Sequence, residues 1–304
     1  DLYSENNQYE AFINSTEFFI VKKQVQIINS KGVDVSYVVY EGEIELITEA
    51  KGIKENIEIY DVLYFGDYDA AWLKENVKDA LYKASLRTKA VPLPALKDVP
   101  VIITGEAVKQ FLSFYQVKAS AEMVYNKLSQ TNVGDSVQSA NVKGDKITAT
   151  LKPVIPNSTR SRYYDGDGYP LKETKIIEDG ILVKYFSGKR FADYLNIETT
   201  GNIGNLEFDC GTTSLEDLKK GKYLELLSFS DFQCDSLTGN FGGEIRLGIY
   251  YDGETKTPIT SGSISGLAKT VDNTMLFSKE KQQVNNFIGP KAIKLNKVNI
   301  AGNK

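Results

Sequence analysis

Residues 17–52 read EFFIVKKQVQIINSKGVDVSYVVYEGEIELITEAKG, and this stretch decides the fold class. Two runs rich in Val, Ile, Tyr and Phe flank Asn29-Ser30-Lys31-Gly32, a turn signal between strands. In Glu41–Glu49, Ile44, Leu46 and Thr48 fall on one face, and Glu43, Glu45 and Ile47 fall on the other. A period of two with one wet face specifies an antiparallel sheet rather than a parallel one. Strand character extends over residues 17–64. The period then changes, because in Asp69–Arg87 (DAAWLKENVKDALYKASLR) residues Ala70, Leu73, Val77, Leu81 and Ala84 share a helical stripe. Trp72 reads as a core anchor at the helix start.

Outward from this hairpin the chain crosses Val91–Pro100 (VPLPALKDVP), where three prolines in ten residues oppose helix and favour an extended linker. Val99–Thr104 reads as a short strand and Gly105–Leu128 as one long helix, with Thr104 as its N-cap and Glu106 in the first turn. From about Asp145 the chain becomes strand and turn. The candidate strands are 148–153, 175–186, 223–229, 244–251 and 293–300, with tight turns at Asp179-Gly180 and Asp252-Gly253. Ser214–Lys220 carries a Ser-x-x-Asp capping pattern. The fold is therefore expected to be α+β: residues 1–95 form a partial α/β region, and residues 96–304 form a domain rich in antiparallel strands.

Composition narrows the chemistry. The chain has 304 residues and no histidine. Histidine is the one side chain that titrates near neutrality unperturbed, and it is the commonest ligand of catalytic zinc. Ser-His-Asp triads, Cys-His pairs and HExxH zinc helices are thereby excluded. A net charge of −4 gives no electrostatic case for nucleic-acid binding. No stretch reaches the ~18–20 apolar residues of a membrane-spanning helix. The polar start DLYSENNQYEAF is no signal peptide, and the missing initiator Met suggests a fragment of a longer chain. Cys210 and Cys234 are too few for a disulfide framework and read as reduced thiols of a cytoplasmic protein.

Local motifs alone name no reaction. Asp165-Gly166-Asp167-Gly168 opens like a calcium loop, yet loop position 12 would be Ile176 where an EF-hand needs Glu. The many glycines between 201 and 243 form no phosphate-binding fingerprint. Glu216 and Asp217 suit a helix start better than acid–base work.

The order of segments says more. Tyr164–Pro170 (YDGDGYP) is followed by 172–186 (KETKIIEDGILVKYF), Lys189–Ala192 (KRFA) and Thr199–Asn202 (TTGN). Asp209–Leu218 (DCGTTSLEDL), Leu237–Phe241 (LTGNF), Gly248, Gly253 and Val298–Gly302 (VNIAG) come next. This succession resembles the TldD/PmbA family, once called modulators of DNA gyrase. The resemblance spans about Val99–Gly302, with a weaker continuation upstream to about residue 17.

In the family's active members, HExxxH on the helix after the strand at Val101–Thr104 holds zinc. The resemblance places that hexapeptide on Ser113-Phe114-Tyr115-Gln116-Val117-Lys118, so Ser113, Phe114 and Lys118 stand at the degenerate positions. It implies a TldE/PmbA-like subunit with no catalytic residue and no metal or other cofactor of its own. Zinc would lie in a TldD-like partner, with which the chain forms a heterodimer that processes extended or unfolded peptide. The alternative is a homodimeric peptide-binding or scaffold protein, and a third rival is a hydrolase using Asp165, Asp167 and a tyrosine. Asp165, Asp167, Gly168, Arg190, Thr200, Gly201, Thr238 and Gly239 are the candidate peptide-groove or family-motif residues. Asp167 stands where the family has Glu, and Gly242-Gly243 replaces its Arg-Gly element.

Overall fold

The computed structural model describes residues 2–6, 9–52 and 56–302. β1 (Ala11–Ile28), β2 (Asp34–Ala50) and β3 (Ile57–Phe65) form an antiparallel three-stranded sheet in that order. The part of the strand reading that falls on residues 53–55 lies outside the described residues. Asn29 closes the β1–β2 turn by accepting N–H bonds from Lys31 and Val33 on its side-chain oxygen. Helix α1 (Ala70–Thr88) starts on Asp69, whose carboxylate accepts from Ala71 and Trp72 N–H, and lies across one face of the sheet.

Burial follows the period read from the sequence. Ile44, Leu46 and Thr48 face inward against Leu73, Val77, Ala80, Leu81 and Ala84 of α1. Ala70 leaves the expected stripe: it is exposed at the first helical position, and Ala80 takes the inward place instead. Trp72 is half-buried beside Phe65, their ring centroids 6.4 Å apart. These residues form a hydrophobic cluster of their own, made of residues 11–84, and a second cluster begins at Leu93.

Val91–Pro100 is extended, as its prolines require, but it is docked rather than loose. β4 (Val91–Pro92) pairs in parallel with a later strand, and Leu93 is fully buried and donates to Thr260 O. β5 (Val101–Thr104) then enters the second sheet. The long helix expected over 105–128 is two helices, α2 (Glu106–Lys118) and α3 (Ala121–Tyr125). They part at Ser120, whose hydroxyl caps α3 by accepting from Met123 N–H. Thr104 is not the cap of α2. Gly105 holds that position with φ 63°, and the Thr104 hydroxyl donates instead to Leu226 O at 2.9 Å.

β6 (Ala149–Lys152), β7 (Thr174–Glu178), β8 (Ile181–Leu182), α4 (Lys189–Leu195), β9 (Asn205–Phe208) and α5 (Leu215–Leu218) follow. Then come β10 (Tyr223–Cys234), β11 (Asn240–Tyr251), β12 (Lys256–Thr260), β13 (Ser263–Leu267) and α6 (Ala268–Val271). The chain ends through β14 (Leu276–Phe277), β15 (Lys281–Val284), β16 (Phe287–Pro290), β17 (Ala292–Leu295) and β18 (Asn299–Ala301). One sheet orders β14-β17-β5-β10-β11-β12-β4, with β13 paired to β11 and β18 paired to β13. A six-stranded sheet orders β15-β16-β9-β6-β7-β8. Most pairs are antiparallel, while β5–β10, β12–β4 and β9–β16 are parallel. The architecture is α+β, and α2 packs on β5 and β10 inside the larger hydrophobic cluster.

Candidate functional site

Two places gather residues that the sequence singles out, and a third holds residues that it does not. The first is the acidic turn in the long connection between β6 and β7. Asp165 is buried, and its Oδ1 accepts N–H bonds from Asp167 at 3.0 Å and Tyr169 at 2.9 Å. Its Oδ2 accepts from Asn202 N–H at 3.3 Å, which ties the turn to the Thr200-Gly201 segment. Gly201 has φ +78°, and a Cβ there would stand 2.3 Å from Leu171 Cδ2, so only glycine fits beside the carboxylate. The Thr200 hydroxyl accepts from Ser187 N–H at 2.8 Å, and Asn202 Oδ1 accepts from Gly188 N–H at 3.1 Å. The structure thus brings Asp165, Gly168, Thr200 and Gly201 together, with Asp167 exposed on the same turn.

Asp165 spends its oxygens on backbone amides, and this shapes the loop. The same connection braces the long hairpin. Asn157 accepts Gly66 N–H on both its backbone and side-chain oxygens, and further along Tyr164 stacks on Tyr37 at 6.4 Å. Arg190 does not join this assembly. It lies exposed on α4, with its guanidinium 5.4 Å from the Phe191 ring and 5.7 Å from the Tyr194 ring.

The second place is helix α2. Phe114 and Tyr115 are fully buried in the core, and the Tyr115 hydroxyl donates to Asp272 Oδ2 at 3.3 Å. Burial, together with Asp272, raises the Tyr115 hydroxyl well above its ordinary value. The Ser113 hydroxyl donates to Gln110 O at 2.7 Å. The Lys118 ammonium lies 4.1 Å from the centroid of the Phe114 ring. Burial lowers Lys118 to about 8, the nearby Lys269 adds to the fall and Asp272 opposes it.

Thr238 and Gly239 form the turn that closes over this helix. The Asp235 carboxylate accepts Thr238 N–H at 2.6 Å and Thr238 Oγ1 at 2.8 Å, which holds it below the ordinary carboxyl range. Gly239 has φ +76°, and a Cβ there would meet Phe114 Cζ at 2.8 Å.

Zinc does not fit these residues. At the two ligand positions stand a hydroxyl committed to a carbonyl and an ammonium, and a phenyl ring stands at the position of the base. Among the described residues no three or more His, Cys, Asp or Glu groups are placed so that they could hold a metal ion. Burial pushes the Cys234 thiol up to about 12 and raises Cys210 as well, so neither offers a ready thiolate.

Comparison with known proteins identifies this arrangement. Residues 96–302 match the model of the PmbA/TldA metallopeptidase C-terminal domain. The chain belongs to the TldD/PmbA family. A "Metalloprotease TldD homolog" of Buchnera aphidicola is 24% identical over 263 residues, covering 76% of this chain and 53% of the relative. The chain thus spans about half the length of that curated relative.

Among solved structures, TldE from Thermococcus kodakarensis superposes with a TM-score of 0.80 at 22% identity, covering 98% of this chain and 71% of the other. A Thermotoga maritima protein named as a modulator of a DNA gyrase gives 0.79 at 18% identity, with coverages of 98% and 72%. These similarities establish the TldD/PmbA fold. No helix of the described residues is long and apolar enough to cross a membrane.

The third place escaped the sequence reading. A cleft of about 340 Å³ lies between the two hydrophobic clusters, lined by Asp61 of β3, Lys83 of α1, Gly105, Glu106 and Gln110 at the start of α2, and the middle of β10. A signal was present in the sequence. In the run Ile57–Phe65 (IEIYDVLYF), the inward positions read Ile, Ile, Asp, Leu, Phe, so one carboxylate stands in an apolar series.

Proposed function

We propose that this chain is the non-catalytic, TldE/PmbA-like subunit of a TldD/PmbA-type metallopeptidase. It binds extended or unfolded peptide and completes the cavity of a zinc-bearing TldD-like partner. One observation carries this reading: the helix where the family resemblance places zinc ligands holds Ser113, Phe114 and Lys118, closed under Gly239. The likeness to a solved TldE supports the same assignment. For peptide capture, β1 lies at the edge of its sheet, and main-chain pairing along such an edge accepts many sequences. We place the pair in the cytoplasm, and we divide the chain between residues 95 and 96, within the docked extended segment that follows the first hydrophobic cluster.

The test combines the purified chain and a zinc-bearing TldD-type subunit with an unfolded peptide. The chain alone should release no product and should co-purify with, and stimulate, the zinc-bearing subunit. Zinc-dependent cleavage by the chain alone would overturn the proposal. A stable homodimer that ignores the zinc-bearing subunit would favour the scaffold alternative.

A further inference from the structure

Four buried side-chain oxygens have no hydrogen-bond partner among the described residues: Thr16 Oγ1, Thr48 Oγ1, Asp61 Oδ2 and Gln110 Oε1. The residues that carry two of them, Asp61 and Gln110, line the same cleft. They come from opposite sides of the seam. Asp61 belongs to the three-stranded sheet, paired with Leu46, while Gln110 sits one turn into α2. A buried oxygen with no donor loses its hydration without compensation, and a carboxylate loses most. Finding two in one cleft points to a donor group that enters it.

The lining indicates which donor. Both orphaned atoms are acceptors, so the missing group carries N–H or O–H bonds. Three carboxylates line the cleft, those of Asp61, Glu106 and Asp231, against one ammonium, Lys83, so the cleft favours a cation. Lys83 is already held by Asp79 at 2.6 Å on its own helix. A bare metal ion is a poor fit, because no cluster of three suitable ligands exists among the described residues. An ammonium suits better, since its three donors can reach a carboxylate and an amide oxygen at once.

We propose that this cleft binds a primary ammonium group, held between the Asp61 carboxylate and the Gln110 amide oxygen at the seam of the two hydrophobic clusters. The group could come from a lysine side chain, a peptide amino terminus or a free diamine. A bound ammonium would join β3 to α2 and stiffen the seam. The site does not depend on the partner-subunit reading, which is tested by stimulation of a zinc-bearing subunit rather than by amine binding.

Isothermal titration calorimetry on the whole chain tests the proposal with three probes: N-acetyl-lysine amide, triglycine amide with a free amino terminus, and cadaverine. N-acetyl-norleucine amide, which lacks the ammonium, is the control. At least one amine should bind saturably while the control does not, and the pattern among the three identifies the source. Asp61→Asn should weaken binding by about tenfold or more, the scale of a hydrogen bond to a charged group. Lys83→Met, which removes the competing cation, should tighten it. Gln110→Glu, which adds a second carboxylate, should also tighten it and serves if Asp61→Asn folds poorly. Absence of saturable amine binding, equal binding of the control, or an affinity unmoved by Asp61→Asn and Gln110→Glu would each overturn the proposal.

Discussion

Asp165 and Asp61 are two carboxylates taken out of water in different parts of one chain, and the structure treats them in opposite ways. Asp165 meets three backbone N–H groups at its two oxygens and ties together segments 37 residues apart in sequence. Asp61 meets a neighbouring lysine only at a distance, and its Oδ2 has no donor among the described residues. A carboxylate whose oxygens are filled belongs to the architecture, and deleting it orphans its donors. One left unsatisfied works against folding, and its presence is better explained by what binds there.

The largest effect should come from breaking the satisfied member. Asp165→Ala leaves the amides of Asp167, Tyr169 and Asn202 without their acceptor in a partly buried turn, so the loss should be about 3 kcal/mol in urea unfolding. Asp165→Asn keeps one acceptor oxygen and should lose less. If Asp165→Ala unfolds at the same urea concentration as the parent, the carboxylate is not structural and the contrast with Asp61 collapses.

Gly201→Ala probes the same turn through its backbone. The new Cβ would stand 2.3 Å from Leu171 and 3.3 Å from Asp165 Oδ2, at a φ that side chains rarely adopt. The combined strain and overpacking should cost about 2 kcal/mol, read from the same unfolding curves. Coupling between Gly201→Ala and Asp165→Ala in a double-mutant cycle would show that the two act as one unit.

Asp61→Asn should act with the opposite sign. Burial raises the Asp61 pKa above the ordinary 3.8, with Lys83 pulling it down and Asp79 adding to the rise. Between 3.8 and its folded value the native state holds more protons than the unfolded state, so the parent chain loses stability as pH rises through that window. The amide has no such dependence. Thermal melts without ligand should therefore coincide below the unfolded pKa and separate above it, with Asp61→Asn the more stable at neutral pH. A saturating amine, if bound as proposed, should narrow or reverse that gap. A neutral-pH melt in which Asp61→Asn is the less stable protein would mean that Asp61 is satisfied after all.

How far the sequence reveals these differences follows from their range. The alternation of Ile44, Leu46 and Thr48 is local, and it gave both the antiparallel sheet and its buried face. The same rule, applied to β3, puts Asp61 inward, but it cannot say what lies opposite, because Gln110 arrives 49 residues later from another element. The break between α2 and α3 is not legible in the sequence, because the Ser120 cap sits inside a run with no proline or glycine to announce it. Thr104 reads as a cap because threonine is a good one, yet a carbonyl 122 residues away claims its hydroxyl. Of the candidate motif residues, Asp165, Gly168, Thr200 and Gly201 lie together, whereas Thr238 and Gly239 lie over α2. Arg190 lies on a separate aromatic surface, where sequence order alone could not place it.

Lys118 is the cationic case between the two aspartates, and the smallest effect should come from it. Its ammonium is half-buried over Phe114, a contact that compensates its lost hydration only in part, and burial lowers its pKa from 10.5 to about 8. For a lysine lowered in this way the unfolded chain holds the proton more tightly than the native one. Stability therefore rises with pH between about 8 and 10.5 as the native ammonium gives up its proton first. Lys118→Met fills the same space without a charge and should abolish that rise. Its melting temperature should exceed the parent's modestly at pH 7, and the gap should close toward pH 10.5. A pH profile that Lys118→Met leaves unchanged would mean that the ammonium reaches water freely. The position where the family resemblance places a metal ligand would then be a solvated surface rather than part of a closed helix.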